Sequence, residues 1–239
     1  MNDARVGVVV GASGGIGSAC AAALGDSADH LVLVDRRPAT VTGTVATAHE
    51  CVADIVTPDG RAAVRKAVEG TGGRLSWVVL ASGAPLRQDF QSAPSAAIEQ
   101  CLLVNLVAPM LLMKELLELP WEANGQVVVI GSISASRALP NRTVYASAKA
   151  GLEHFARSLA AELAPRQLRC NIVAPGVIDT DFLGDDRSAL DGWVHSHVPM
   201  QRLGQRREVA QVVRFLVRDA PTYLSGARIA VDGATEARA

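Results

Sequence analysis

Residues 6–17 read VGVVVGASGGIG, an apolar β-branched run that breaks into a glycine-rich turn and then into a helical pattern. Side chains branched at Cβ favour a pleated strand. Gly11, Gly15 and Gly17 then stand where the chain must turn tightly and enter a helix. Glycine at such a turn lets the backbone come close to a pyrophosphate, and the free N–H groups that open the helix face its negative charge. The turn, with Ser13 and Ile16 inside it, predicts a dinucleotide site in the first strand-turn-helix unit. Its spacing is G-x-x-x-G-x-G rather than G-x-G-x-x-G.

The same alternation continues outward along the chain. Further strand candidates are HLVLVD (30–35), HECVAD (49–54), WVVLAS (77–82), QVVVIGS (126–132), LRCNIVAP (168–175) and ARIAVD (227–232). Most are near-continuous apolar runs, as parallel strands covered on both faces require. Helical patterns lie between them at about 15–25, 58–70, 95–119, 143–164 and 206–218. The expected class is therefore α/β: a doubly wound, Rossmann-like, mostly parallel seven-stranded sheet with helices on both faces. No repeat, low-complexity tract or linker divides the chain, so residues 1–239 are expected to form one domain.

Composition narrows the function classes. A chain of 239 residues is long enough for a well-filled core. Lys and Arg number 23 against 24 Asp and Glu, with no basic block, so nucleic-acid binding lacks its electrostatic source. No apolar run approaches the ~20 residues that span a bilayer, and MNDARVGVVVG enters a strand pattern directly, so a cytoplasmic protein without a membrane segment is expected. Cys20, Cys51, Cys101 and Cys170 are scattered and read as reduced thiols rather than a disulfide or metal framework. His195 and His197 have no carboxylate partner nearby, so no metal site is expected.

Two stretches carry chemistry. Asp35 ends the second strand, about 20 residues after the glycines, where a carboxylate accepts hydrogen bonds from both ribose hydroxyls of NAD and repels a 2′-phosphate. Arg36 and Arg37 follow it and would accommodate that phosphate, so NAD is favoured and NADP is the alternative. Residues 143–149 read TVYASAK, which puts Tyr145 and Lys149 on one helical face. They are either a surface pair, or a proton donor whose pKa, ordinarily ~10, is lowered by an ammonium beside it.

The glycine spacing, the Tyr145–Lys149 pair and Ser132 thirteen residues before the tyrosine resemble the short-chain dehydrogenase/reductase family, over nearly the whole chain to VDG (231–233). The resemblance implies that Ser132 holds the substrate oxygen, Tyr145 exchanges its proton, Lys149 holds the nicotinamide ribose, and Asn105 holds a relay water. Ser134 and Ser136 are alternatives to Ser132 by composition. Pro109, four residues after Asn105, has no N–H for the Asn105 carbonyl, which would leave it free for water if the segment is helical throughout. The resemblance also places Asp54 near the adenine amino group with Ile55 on the ring; a turn-closing role for Asp54 is the equal alternative. It places Gly83 against the cofactor, Pro175-Gly176 at a turn, and the Ile178 backbone and Thr180 hydroxyl at the carboxamide. The chain departs from the family pattern at Val10, where threonine is usual, and at Leu80-Ala81-Ser82-Gly83, where two asparagines usually precede Ala-Gly. The short connection from Asp35 to Asp54 is similar, more weakly, to that of cyclic dihydrodiol dehydrogenases.

Residues 181–202 read as a lid, with Phe182, Leu183, Leu190, Trp193, Val198 and Met200 facing a largely apolar substrate. Arg87, Arg137 and Arg142 are either surface residues or groups at the pocket mouth that meet a carboxylate. The expected activity is hydride transfer between NAD and a secondary alcohol, cyclic diol or ketone. The alternatives are an NADPH-dependent 3-oxoacyl thioester reductase and a non-catalytic nucleotide-sensing scaffold. The resemblance further implies a homo-oligomer, dimer or tetramer, assembled through the two long helices and the C-terminal strand.

Overall fold

The computed structural model describes residues 4–39, 47–183 and 187–238. The chain runs β1 (Arg5–Val10), α1 (Gly15–Leu24), β2 (His30–Asp35), β3 (Thr47–Val52), α2 (Pro58–Glu69), β4 (Arg74–Leu80), α3 (Ser95–Leu102), α4 (Ala108–Leu116) and β5 (Trp121–Ile130). It continues α5 (Thr143–Leu163), β6 (Arg169–Pro175), β7 (Ile178–Asp179), α6 (Arg187–His197), β8 (Gly204–Gln205), α7 (Arg206–Arg218) and β9 (Arg228–Val231). Seven strands form one sheet in the order β3-β2-β1-β4-β5-β6-β9, and every neighbouring pair is parallel. β7 and β8 make a separate two-stranded ribbon.

Strand alternation divides the apolar residues between two cores. Val6, Val8, Val10, Val78, Leu80, Val127 and Val129 face one side, under α2, α4 and α5. Val9, Leu31, Leu33, Trp77, Val79 and Val128 face the other, under α1 and α7. At Gly7 the alternation needs a missing side chain: a Cβ there would stand 2.1 Å from the Trp77 ring. β1 has β2 on one side and β4 on the other, so the strand order reverses direction at its C-terminal end and opens a crevice there. α2 starts on Thr57, whose hydroxyl accepts the Gly60 N–H, with Pro58 at the first helical position. α7 starts on a reciprocal Gln205–Glu208 capping box.

Three features differ from the sequence reading. The 95–119 helical pattern is interrupted by a π-helical turn at Leu103–Val107, where the Ala108 N–H donates to the Leu103 carbonyl. Proline at 109 offers no N–H to the α-helical register, and the turn is where Asn105 points inward. The continuous helical run Ser95–Leu116 is also long and apolar enough, by length and composition, to cross a membrane, which the sequence reading had excluded for every segment. Here Ala108, Leu112, Met113 and Leu116 pack it on the sheet, while Val107, Met110 and Leu111 stay 37–38% exposed. Finally, part of the lid segment is a helix, α6. Val198 and Met200 turn away from the crevice and pack at Gly233.

Gly7→Ala is expected to lower unfolding free energy by ~1–3 kcal/mol or more, measured by urea titration, because the methyl overlaps a ring with no room to retreat. Gly192→Ala, in α6, meets nothing within 4 Å. It is expected to be neutral or to stabilise by up to ~1 kcal/mol. Equal stability of Gly7→Ala and the parent protein would contradict this packing.

Candidate active site

The strands deliver their C-terminal ends to a groove with three connected compartments. The first, about 170 Å³, is lined by Val10, Gly11, Gly14, Asp35, Arg36, Arg37, Asp54, Ile55, Ser82 and Gly83. The second, about 150 Å³, shares Gly14, Ser82 and Gly83 with it and adds Gly15, Ile16, Gly17, Ser132, Tyr145, Lys149, Pro175, Gly176, Ile178 and Thr180. The third, about 500 Å³, shares Ser132, Tyr145, Gly176, Phe182 and Leu183 with the second. Thus the predicted site residues other than Ser13 and Asn105 line one or both of the first two compartments.

The glycine turn is built by contact. Gly11 has φ +86°, and a Cβ at Gly17 would fall 1.9 Å from the Gly11 carbonyl oxygen. The Asp35 carboxylate accepts the Ser13 N–H (3.1 Å) and the Arg37 N–H (3.2 Å), so it braces the turn as well as lining the groove. Asp54 accepts the Val56 N–H through its carboxylate (3.1 Å), the turn-closing role that the sequence left open beside the adenine contact. The hydroxyls of Ser13 and Ser82 are buried with no hydrogen-bond partner. An unsatisfied buried hydroxyl costs ~1–3 kcal/mol. These two, with a turn that keeps side chains out, fit a polar phosphate-bearing cofactor.

At the far end, α5 carries Tyr145 and Lys149, both buried. The Lys149 ammonium donates to the Ile130 carbonyl at 2.9 Å, at the end of β5. One turn on, buried Glu153 accepts the Ser132 N–H (3.2 Å) through one carboxylate oxygen and Arg228 Nε (2.7 Å) through the other. Arg228 in turn makes a two-pronged pair with Glu236 (2.6 and 2.7 Å). Ser132, Tyr145 and Lys149 thus converge on the second compartment. Among the alternative serines, Ser136 is engaged with the Ile133 carbonyl and Glu236. Ser134 lines only the third compartment and donates its N–H to the Ser132 hydroxyl.

Asn105 is fully buried and its side chain is completely used. Its amide donates to the Cys101 carbonyl (2.8 Å) and the Ala84 carbonyl (3.0 Å), and its oxygen accepts the Ala84 N–H (3.1 Å). It clamps the Gly83–Ala84 loop to the helix, and a Cβ at Gly83 would stand 3.0 Å from the Asn105 oxygen and 3.5 Å from the Lys149 nitrogen.

The protonation balance differs from the expectation for Tyr145. Burial pushes its phenol up to about 12; hydrogen bonding with Ser132 and the charges of Arg142 and Arg87 pull the other way without prevailing. Lys149 stands 6.0 Å from the Tyr145 ring centre; the expected lowering counted the positive nicotinamide together with this ammonium. Burial in turn pulls the lysine down to about 8, against the charge of Glu153. Desolvation, which the helical spacing could not reveal, outweighs the pairwise attraction. At neutral pH burial keeps Tyr145 on its protonated side.

Over this end, Phe182 tilts onto the Tyr145 ring, 5.9 Å between centroids. Arg87 donates to the carbonyls of Phe182 (3.0 Å) and Leu183 (2.7 Å), tying that turn to the loop after β4. Arg142 lines the same compartment, whereas Arg137 is bonded to the Thr235 carbonyl away from it. Residues 184–186 of the lid segment lie outside the described residues. His197 stacks on Trp193 at 4.5 Å, and no group of His, Cys, Asp and Glu suited to a metal occurs among the described residues. Cys20 and Cys170 are buried free thiols that burial pushes up to about 12. Glu153 and Arg228 were missed by sequence reasoning, although Glu153 lies four residues after Lys149 and so on its face.

A family model described as enoyl-(acyl carrier protein) reductase matches residues 11–235. Human dehydrogenase/reductase SDR family member 2 is 33% identical over 240 residues, 96% of this chain and 85% of the relative. The chain belongs to the short-chain dehydrogenase/reductase family. It is an oxidoreductase of that NAD(P)-dependent class. Carbonyl reductase family member 4 of Danio rerio is also 33% identical, over 96% of this chain and 97% of that one. The fold matches a 3-oxoacyl-[acyl-carrier protein] reductase from Brucella melitensis, solved in complex with NAD, with a TM-score of 0.91 over 100% of both chains at 24% identity.

In the protein without cofactor, Tyr145 should stay protonated across the ordinary tyrosine range, ~10. The tyrosinate absorbance that Tyr145→Phe removes is therefore expected to rise near pH 12, not below 10. Because the native phenol keeps its proton where the unfolded one loses it, stability falls with pH between those values. A Tyr145 signal appearing below pH ~10 would mean that Lys149 outweighs burial.

Proposed function

We propose that the enzyme transfers hydride between NAD and a secondary alcohol or ketone, with Tyr145 as general acid in reduction and general base in oxidation. The observation that carries this is the convergence of Ser132, Tyr145 and Lys149 on the second compartment, with Ser132 and Tyr145 also lining the third. Bound NAD would supply the nicotinamide ring that accepts or delivers the hydride. The turn of Gly11, Ser13, Gly15, Ile16 and Gly17 would hold the pyrophosphate on the N-terminus of α1. Asp35 would take the ribose hydroxyls, Asp54 and Ile55 the adenine, Lys149 the second ribose, and Ile178 and Thr180 the carboxamide. The carboxylate of Asp35 favours NAD; Arg36 and Arg37, exposed beside it, are the groups that would accept NADP instead.

In reduction the Ser132 hydroxyl orients the carbonyl oxygen and Tyr145 gives it a proton. Lys149, brought down to about 8, is placed to resupply that proton near neutral pH. The Asn105 side chain is occupied, so a relay water would have to be held by its carbonyl, in the π-helical turn before Pro109. Phe182, Leu183, Leu190 and Trp193 act as a lid that excludes water. Exposed Val107, Met110 and Leu111 on the α4 side support self-association through the long helices.

A 3-oxoacyl thioester reductase is the second reading, favoured by the likeness to the Brucella 3-oxoacyl-[acyl-carrier protein] reductase. NADH formation or consumption across secondary alcohols, cyclic diols, ketones and 3-oxoacyl thioesters, with NADP run in parallel, separates the two. Tyr145→Phe is expected to lower kcat by ~10²–10⁴ or more while NADH still binds. Undiminished turnover in that variant would exclude Tyr145 as the acid, and turnover confined to NADP would exclude Asp35 as the selector.

A further inference from the structure

The third compartment has one chemical asymmetry. Its walls are apolar at Ile133, Leu139, Pro140, Val177, Leu190 and Trp193. Its charged lining is Arg87 and Arg142, and among the described residues no carboxylate lines it. Arg142 is only partly exposed, and among the described residues its guanidinium makes no hydrogen bond or ion pair. Arg87, exposed at the mouth, spends two of its nitrogens on the Phe182 and Leu183 carbonyls, which are neutral. Arg142 is pulled below its ordinary value first by burial and then by the charge of Arg87, so the two guanidiniums act on each other as like charges. The other buried or partly buried arginines among the described residues are all engaged, among them Arg61 with Glu115 at 2.9 Å, Arg228 with Glu153 and Glu236 at 2.7 and 2.6 Å, and Arg74, Arg137 and Arg169 with backbone carbonyls.

We propose that the substrate carries a carboxylate which Arg142, with Arg87 beside it, holds in this compartment, making the enzyme a dehydrogenase of hydroxy acids and reductase of oxo acids. A guanidinium offers paired N–H donors that match a carboxylate, and in a partly desolvated cavity such a bond is stronger than in water. Arg142 is the N-cap residue of α5 and lines the same compartment as Tyr145, so the bound carboxylate stands near the group that exchanges the proton. The acid is compact, because about 500 Å³ must hold its carbon skeleton together with the reacting carbon. In oxidation the C–H bond would give its electron pair and hydrogen to NAD while the O–H proton passes to Tyr145, whose own proton moves to neutral Lys149, and the C=O bond forms; hydroxy acid and NAD become oxo acid, NADH and a proton. The apolar walls then contact the chain or ring of the acid, so the apolar substrate expected from the lid residues keeps an anionic end.

This inference rests on the hydride-transfer reading for its chemistry, but its recognition step is measurable without turnover. Short straight-chain and aryl 2- and 3-oxo acids, each paired with its primary amide, are titrated into the enzyme saturated with NAD, which cannot reduce them, and binding is followed by calorimetry. Within the best-bound pair the acid is expected to bind at least ~10-fold more tightly than its amide, as for a partner of a desolvated guanidinium. Arg142→Gln should remove that preference, and Arg142→Lys should restore part of it. Acids that bind no better than their amides throughout, or a preference that survives in Arg142→Gln, would overturn the proposal while leaving hydride transfer intact. Tight, Arg142-dependent acid binding without any oxidation of NADH when it replaces NAD would instead sustain the carboxylate site and contradict the proposed reaction.

Discussion

One hydrogen bond, from the buried Lys149 ammonium to the Ile130 carbonyl, fastens the long helix α5 over the end of β5. A buried lysine without such a partner is costly. That bond, with Glu153 one turn further on, compensates the burial and fixes which face of α5 meets the sheet. Tyr145 follows automatically, one turn before the lysine and against Ser132 at the end of the same strand. The cost of burying two ionisable groups side by side appears in their opposite shifts, the phenol upward and the ammonium downward. Both shifts favour neutral forms, and a neutral phenol is what a ketone needs when it is reduced.

The remainder of the structure holds that arrangement still. Glu153 links the backbone of Ser132 to Arg228, and Arg228 continues to Glu236 in the C-terminal segment. β9, the last strand of the sheet, therefore supports the serine from behind. On the other side, Asn105 uses a π-helical turn to reach the loop after β4 and spends every polar atom there. A polar group so deeply buried and fully bonded sets geometry. The glycine turn completes the groove by leaving space where side chains would otherwise stand.

The parts legible in the sequence were those governed by local pattern. Apolar runs such as VGVVV and NIVAP give buried parallel strands because both their faces must be covered. The glycine turn was readable because few other residues tolerate its contacts. Tyr145, Lys149 and Ser132 followed from spacing. What escaped depends on non-local facts. The direction of the Tyr145 shift is set by burial, which no spacing encodes. Helix α6 was hidden by Gly192 and two flanking histidines within a polar segment, and the π turn by the assumption that an apolar helix keeps one register. Arg228 lies far along the chain from Glu153, and only the β6–β9 pairing brings them together. The three arginines read alike in sequence, yet Arg137 is tied to the C-terminal segment while Arg87 and Arg142 share a cavity.

The central claim is that hydride passes directly between the nicotinamide and the substrate carbon while the proton comes through Tyr145. It is tested most directly by reducing a turned-over ketone or oxo acid with NADH deuterated at the transferable position, in ordinary water, and reading the product by mass spectrometry. The account predicts one deuterium on the new carbinol carbon, and none there when unlabelled NADH is used in heavy water. Deuterium arriving on that carbon from the solvent, or failing to arrive from labelled NADH, would contradict it.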